Sequence, residues 1–339
     1  MSSINPNFHF RKASEPSVSE LMDGVLNQNL TALSKAITLV ESGLPHHRRM
    51  ANELIDGLLP HAGKSHRIGI TGVPGVGKST FIESFGLQLI ERGHRVAVLA
   101  IDPTSSISHG SILGDKTRMN ELAAHPNAFI RPTPSGGNLG GVHRKTRESI
   151  LLCEAFGFDR IIVETVGVGQ SETAVHHMTD VFLLLLLSGA GDELQGIKRG
   201  IMEMADLLVI HKADGENRVK AERAMAEVKS AIRLFPTPPS GWLPEVQTLS
   251  SIEKIGFDSL FQKLDRFFNH SMNKGFFDFN RKEQSLAWMK DALGDSLFFW
   301  LENQSDFHEK WKLQEEKVLL QQKSPFSAVS EILQNYLPQ

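Results

Sequence analysis

The stretch GVPGVGKST, residues 72–80, carries the clearest chemistry in the chain. It fits G-x-x-x-x-G-K-[ST], follows an apolar run that reads as a strand, and opens a stretch that reads as a helix. Gly72, Val73, Pro74, Gly75, Val76 and Gly77 form a loop whose backbone N–H groups, from all but Pro74, can curl around phosphate oxygens. The following helix start adds partial positive charge. Lys78 would reach the β- and γ-phosphates, Ser79 would hold Mg2+, and Thr80 completes the nucleotide-binding stretch. A glycine-rich turn that binds nothing is the bland alternative, and both the spacing and the context oppose it.

A nucleotide hydrolase also needs carboxylates near the metal and a sensor of the γ-phosphate. Asp102 ends the run RVAVLAI, on the carboxyl edge where open α/β sheets bind ligands. Glu164 ends RIIVE in the same way, and the spacing E-x-x-G brings the Gly167 N–H within reach of a γ-phosphate. Asp115 lies in a long polar loop, PTSSISHGSILGDKTR (103–118), a length that points to function or disorder. The expected metal set is therefore Ser79, Asp102, Asp115 and Glu164, and the expected catalytic set Lys78, Asp102, Glu164 and Gly167. Gln170 is a candidate for positioning water, although a glutamine in a loop is more often a plain surface residue.

HKADG (211–215) follows the apolar run DLLVI and precedes a helix. An aspartate there can accept from the N1 and N2 hydrogens of guanine with two oxygens at once, a donor pair that adenine lacks. That role falls to Asp214, while Lys212 lays its aliphatic stem on the base. The usual first residue of such a motif is Asn. Here it is His211, whose ring N–H can brace neighbouring loops in its place. In TLSSIEK (248–254), Ser250, Ser251 and Ile252 are positioned to offer backbone N–H groups to the guanine O6.

These residues need a frame. Short apolar runs, RIGIT (67–71), RVAVLAI (95–101), AFIR (128–131), RIIVE (160–164), DVFLLLLL (180–187), DLLVIH (206–211) and PEVQTLS (244–250), alternate with helix-length segments. This predicts an α/β fold with a doubly wound, mostly parallel sheet. The pattern divides the chain into a polar tail, 1–18, expected to be disordered; a helical segment, 19–62; the phosphate-binding domain, 63–270; and a helical C-terminal segment, 271–339. Leu286, Met289, Leu293, Leu297 and Leu301 fall on one helical face.

Composition narrows the function. With 36 basic and 39 acidic residues the formal net charge is −3, which gives no pull towards nucleic acid or anionic membrane. The basic run at 144–147 is short and reads as a solvated face. The apolar run 181–187 is far shorter than the roughly 20 residues of a membrane span. The N-terminus lacks the apolar core of a secretory signal, so a cytoplasmic location is expected. Cys153 is the single cysteine, which excludes an intrachain disulfide, and it sits in an apolar helical pattern that suggests core packing. His46–His47 and His176–His177 are adjacent on helices, where neighbours point apart, so neither pair is expected to form a ligand pair by itself.

Taken together, GITGVPGVGKST, AIDPTSSISHGSILGDKTRM, RPTPSGGNLGGVHRKT, VETVGVGQSE and AGDELQGIKRGIMEMADL closely resemble the methylmalonyl-CoA mutase-associated GTPases (the MeaB/MMAA, ArgK-like family of the SIMIBI class of P-loop NTPases). The likeness runs from about Leu30 to Phe268. It implies a GTPase chaperone, slow alone and stimulated by its partner, that binds a coenzyme B12-dependent acyl-CoA mutase. It would gate adenosylcobalamin loading and protect the mutase from inactivation. Mg2+ with GTP or GDP is the implied ligand, and adenosylcobalamin belongs to the mutase. By the same resemblance Asp102 and Asp115 belong to a first switch and Glu164 to Gly167 to a second. A third, Gly189 to Lys198, would couple nucleotide state to the mutase through Asp192, Glu193, Gln195 and Lys198. A homodimer with a C-terminal dimer arm, and a cobalamin adenosyltransferase as a further partner, are also implied. The departures are His211 and the segment after about Phe277. A nickel metallochaperone GTPase, a kinase of transport proteins and a non-catalytic nucleotide-dependent scaffold are the competing readings.

Overall fold

The computed structural model describes residues 15–102, 119–134, 139–165, 171–188 and 199–336. The chain divides into two compact units, Met1–Gln284 and Ser285–Gln339.

Among the described residues the first unit is built on seven strands: β1 His66–Gly72, β2 Val96–Asp102, β3 Ala128–Pro134, β4 Arg160–Thr165, β5 Val181–Leu187, β6 Leu207–His211 and β7 Glu245–Thr248. They pair in the order β3-β2-β4-β1-β5-β6-β7, and every pairing is parallel. Each apolar run singled out in the sequence is one of these strands. β5 reads as an unbroken apolar run because both its faces are covered, as in the interior of a parallel sheet.

Among the described residues nine helices surround or enter this sheet: α1 Val18–Leu26, α2 Leu30–Glu41, α3 Pro45–Leu58, α4 Lys78–Glu91, α5 Asn120–Ala124, α6 Leu139–Phe156, α7 Ser171–His176, α8 Arg199–Met204 and α9 Arg218–Ile232. Two more follow, α10 Phe257–Asn273 and α11 Phe276–Glu302, the latter running across the division at 284. Ser17 opens α1 with a reciprocal capping box, accepting from Glu20 N–H while the Glu20 carboxylate accepts from Ser17 N–H. On one sheet face Phe81 and Phe85 of α4 stack with Phe257 and Phe261 of α10 at centroid distances of 5.4–5.9 Å. Such pairs add about 1 kcal/mol each beyond their burial. On the other face α6 packs on β2, β3 and β4, and α1–α3 pack on α6. Cys153 of α6 is fully buried there, and burial pushes its thiol pKa far up.

A buried charge network ties the amino-terminal edge of the sheet. Arg67 grips Glu154 with two bonds of 2.9 Å, and Arg281 of α11 holds Asp180 at 2.7 and 2.8 Å. Burial works against the Glu154 charge, but Arg67, Ser65 and Arg281 more than offset it and hold its pKa below the ordinary value.

In the second unit α12 Phe307–Leu319 packs on α13 Pro325–Gln334 around Phe307, Ala328 and Ile332. Tyr336 closes this pair by donating to Asp306 at 2.7 Å. Leu286, Met289, Leu293 and Leu297 of α11 are all exposed. Among the described residues, no helix is long and apolar enough to cross a membrane.

Candidate functional site

The strand ends dictate where the site lies. Gly72, Asp102, Thr165, Leu187, His211 and Thr248 all terminate strands on the same carboxyl edge. β1 sits at the centre of the sheet, between β4 and β5, and the chain leaves it directly into the glycine-rich loop. This is the crevice position at which open α/β sheets hold ligands.

Two glycines make the loop feasible. A Cβ on Gly72 would come within 2.6 Å of the Leu185 carbonyl, so any side chain would push β1 from β5. Gly77 caps α4 with φ +93°, a left-handed conformation, and a Cβ there would meet the His211 ring at 3.0 Å. Val76 is fully buried and pins the loop to the core, while Pro74 and Gly75 are exposed. Ser79 and Thr80 lie in the first turn of α4.

The Lys78 ammonium folds back over the loop and donates to the carbonyls of Gly72 at 2.9 Å and Val73 at 3.4 Å. Burial lowers its pKa, and the negative charges of Glu164 and Glu172 act in the opposite sense. Glu164 is 4% exposed and lies in register with Ile70 of β1 and Ala100 of β2. Glu172, in the first turn of α7, is equally buried and was not legible as a site residue. Its signal is positional: it follows the E-x-x-G spacing by a few residues, at a helix start whose charge acts on half-buried Lys78. Asp102 closes β2 on the same edge, but its side chain lies outside the described residues. So do Asp115, Gly167 and Gln170, together with Asp192, Glu193, Gln195 and Lys198.

The other half of the site gathers at the ends of β6 and β7. Ala213 N–H donates to Leu249 O at 3.1 Å, which fastens the 211–215 turn to the 249–255 turn. Lys212 takes φ +58° and its ammonium spans to the Gly75 carbonyl at 2.8 Å. The Asp214 carboxylate accepts from the Ser250 hydroxyl at 3.0 Å, and that hydroxyl accepts in turn from Glu253 N–H at 3.1 Å. Ser250 and Ser251 are buried, whereas Ile252 is 77% exposed at the tip of the turn.

His211 joins the two halves. Its ring is 2% exposed, stands edge-on to Phe81, and lies 2.7 Å from both the Val76 carbonyl and the Ser251 hydroxyl. A carbonyl can only accept, so Nδ1 carries the hydrogen, and neutral Nε2 accepts from Ser251. Burial lowers the His211 pKa, which favours this neutral tautomer, and the Val76 bond opposes the shift. The brace expected of this residue from sequence is thus present, and its two partners are the phosphate loop and the 249–255 turn.

Ser79 and Glu164 offer only hard oxygen donors, a set that fits Mg2+ and not a thiolate- or imidazole-seeking metal. A parallel sheet of this order, with a G-x-x-x-x-G-K-S loop after its central strand and a K-x-D turn after β6, defines a P-loop GTPase. The chain belongs to the family described as methylmalonyl Co-A mutase-associated GTPase MeaB, whose model matches residues 33–305. It is 52% identical over 283 residues to the probable GTPase Rv1496 of Mycobacterium tuberculosis, covering 84% of each chain. It is 44% identical to the GTPase ArgK of Escherichia coli K12, covering 86% of this chain and 88% of that one. It is also 43% identical to the mouse mitochondrial methylmalonic aciduria type A homolog, covering 94% and 79%. A solved structure described as LAO/AO transport system kinase superposes with a TM-score of 0.72 at 36% identity, covering 94% of this chain and 96% of its own. The protein is a GTP hydrolase of this family.

Proposed function

We propose that the chain spends GTP hydrolysis on chaperoning a coenzyme B12-dependent acyl-CoA mutase, gating entry of adenosylcobalamin into the mutase and protecting it. The observation that carries this is the family match over residues 33–305, a family described by its association with methylmalonyl Co-A mutase. A relative named for methylmalonic aciduria supports it. Adenosylcobalamin is the mutase's cofactor in this reading, and a cobalamin adenosyltransferase is a further partner.

In the same reading the nucleotide lies along the carboxyl edge. The 72–77 loop N–H groups and the Lys78 ammonium hold the phosphates, Lys78 exchanging its loop carbonyls for phosphate oxygens. Asp214 reads the guanine N1 and N2 hydrogens, Lys212 covers one face of the base, and the 250–252 backbone faces its O6. Ser79 and Glu164, with Asp102 and Asp115, would hold Mg2+, which would supply charge neutralisation to the phosphates. Gly167 senses the γ-phosphate, and Asp192, Glu193, Gln195 and Lys198 pass its presence to the mutase. The exposed Leu286, Met289, Leu293 and Leu297 face of α11 pairs with a second copy, making a homodimer.

The test is phosphate release from GTP and from ATP, with and without a purified B12-dependent mutase from the same source. GTP-selective turnover that the mutase accelerates is the expected result. Turnover indifferent to every such mutase would overturn the chaperone role while leaving the nucleotide assignment standing.

A further inference from the structure

A cavity of about 480 Å3 opens on the amino-terminal edge of the sheet, where β5 and β6 begin. β5 is seven residues long, so its length sets this cavity about 20 Å from the nucleotide edge. The volume falls in the range of small-ligand pockets, roughly 300–1,000 Å3. Its walls are apolar and stiff: Phe182 at the start of β5, Pro238 and Pro239 in the loop before β7, and Phe276 and Phe279 on the first turn of α11. Phe279 is 57% exposed, so aromatic surface is presented to an incoming molecule.

Asp206 differs from the two ion-paired carboxylates of this cavity. Asp180 is neutralised by Arg281, and Glu203 by Arg199 at 2.8 Å. Asp206 has neither kind of partner: its carboxylate accepts one hydrogen bond, from Phe182 N–H at 2.9 Å, and among the described residues no cation pairs with it. Its backbone is fully used, the N–H on Phe182 O and the carbonyl on Glu245 N–H and the Trp242 indole. The backbone is therefore held in place by its neighbours, while most of the carboxylate's hydrogen-bonding capacity is left over. Asp206 is half-buried, and a carboxylate partly withdrawn from water is costly unless a cation meets it. Aromatic faces beside it add attraction for the same kind of charge.

We propose that this cavity is a second ligand site, taking a small organic ammonium compound whose charged nitrogen meets Asp206 and whose apolar body lies between the phenylalanine and proline walls. The site is independent of the mutase reading. Loss of water around Asp206 raises its pKa to about 7, and the Phe182 N–H opposes that rise. Ligand affinity should therefore climb as pH rises through 7 and the carboxylate ionises. Five other titratable groups line the cavity among the described residues. His176 is held neutral, its pKa lowered to about 4 by burial and then by His177. Asp180 and Glu203 are ion-paired, and His177 and Glu283 line the same cavity at exposed positions.

The probe is phenethylamine, titrated calorimetrically into the full chain with the nucleotide site saturated by GDP and Mg2+. The neutral control is 2-phenylethanol. The expected result is saturable 1:1 binding of the amine, with the alcohol at least about tenfold weaker. A group titrating near 7 loses about nine-tenths of its charge between pH 8 and pH 6, so amine affinity should drop about tenfold over that interval. Asp206→Asn keeps an acceptor for Phe182 N–H; it should abolish the preference for the amine and flatten the pH profile while leaving GTP turnover unchanged. Phe279→Ala, on the exposed wall, should weaken amine and alcohol alike. Equal affinity for amine and alcohol, unaltered binding by Asp206→Asn, or no saturable binding at millimolar probe would each overturn the proposal.

Discussion

The two ends of the nucleotide crevice are assembled on different terms. At the 211–215 turn each polar side chain is committed to protein: His211 to Val76 and Ser251, Asp214 to Ser250, Lys212 to Gly75. At the phosphate end, Lys78 rests on two loop carbonyls, a half-buried cation whose charge is answered at longer range by Glu164 and Glu172. The first arrangement is a finished socket that costs little to reorganise when a base arrives. The second is a poised charge that gains its full set of partners only when phosphate oxygens enter. Recognition can thus be rigid while hydrolysis depends on what is brought to Lys78.

The largest effect comes from the poised end. Lys78→Ala should lower the GTP turnover rate by about 10²–10³ with little change in thermal stability, read by single-turnover phosphate release beside a melting curve. Asp214→Asn attacks the socket. It should weaken GTP by about tenfold to a hundredfold, since hydrogen bonds to a charged acceptor are worth about 1.5–3 kcal/mol, and should favour XTP instead. A variant that still prefers GTP over XTP in competition binding would remove Asp214 from the base site. The smallest effect should come from His211. His211→Ala should weaken GDP by about tenfold through loss of two bonds, whereas His211→Asn should stay within about threefold because an amide can brace the same partners. The depressed His211 pKa sets the sign of its pH response: the neutral brace is intact above the ordinary histidine value and is lost as pH falls through the folded value. GDP affinity should accordingly be flat from pH 8 to 7 and fall on acidification in the parent protein, but stay flat in His211→Asn.

Much of this was legible without coordinates because it is written in local pattern. Seven apolar runs separated by helix-length segments are enough to specify a parallel sheet, and G-x-x-x-x-G-K-S after a strand is enough to specify a phosphate loop. The register that sets Glu164 beside Ile70 is a tertiary fact that no spacing encodes. The same holds for Glu172, whose influence on Lys78 comes from a helix arriving after β4. His46 and His47 show how a local rule is overridden. Adjacent helix positions diverge, yet at the first turn of α3 both rings reach towards Glu15, at 4.0 and 3.5 Å from its carboxylate. The rule describes two side chains leaving a straight helix, and a long acidic side chain approaching its open end meets both.

The lone thiol of Cys153 has a practical meaning for spectroscopy. It is sealed inside α6 with its pKa driven upward, so maleimides and other thiol probes find almost no thiolate to attack in the folded protein. The natural chain already behaves as a cysteine-free background. A single cysteine introduced at an exposed position, such as Ile252 at the rim of the base socket or Phe279 at the mouth of the far cavity, would carry a fluorophore at that site alone and report each ligand separately.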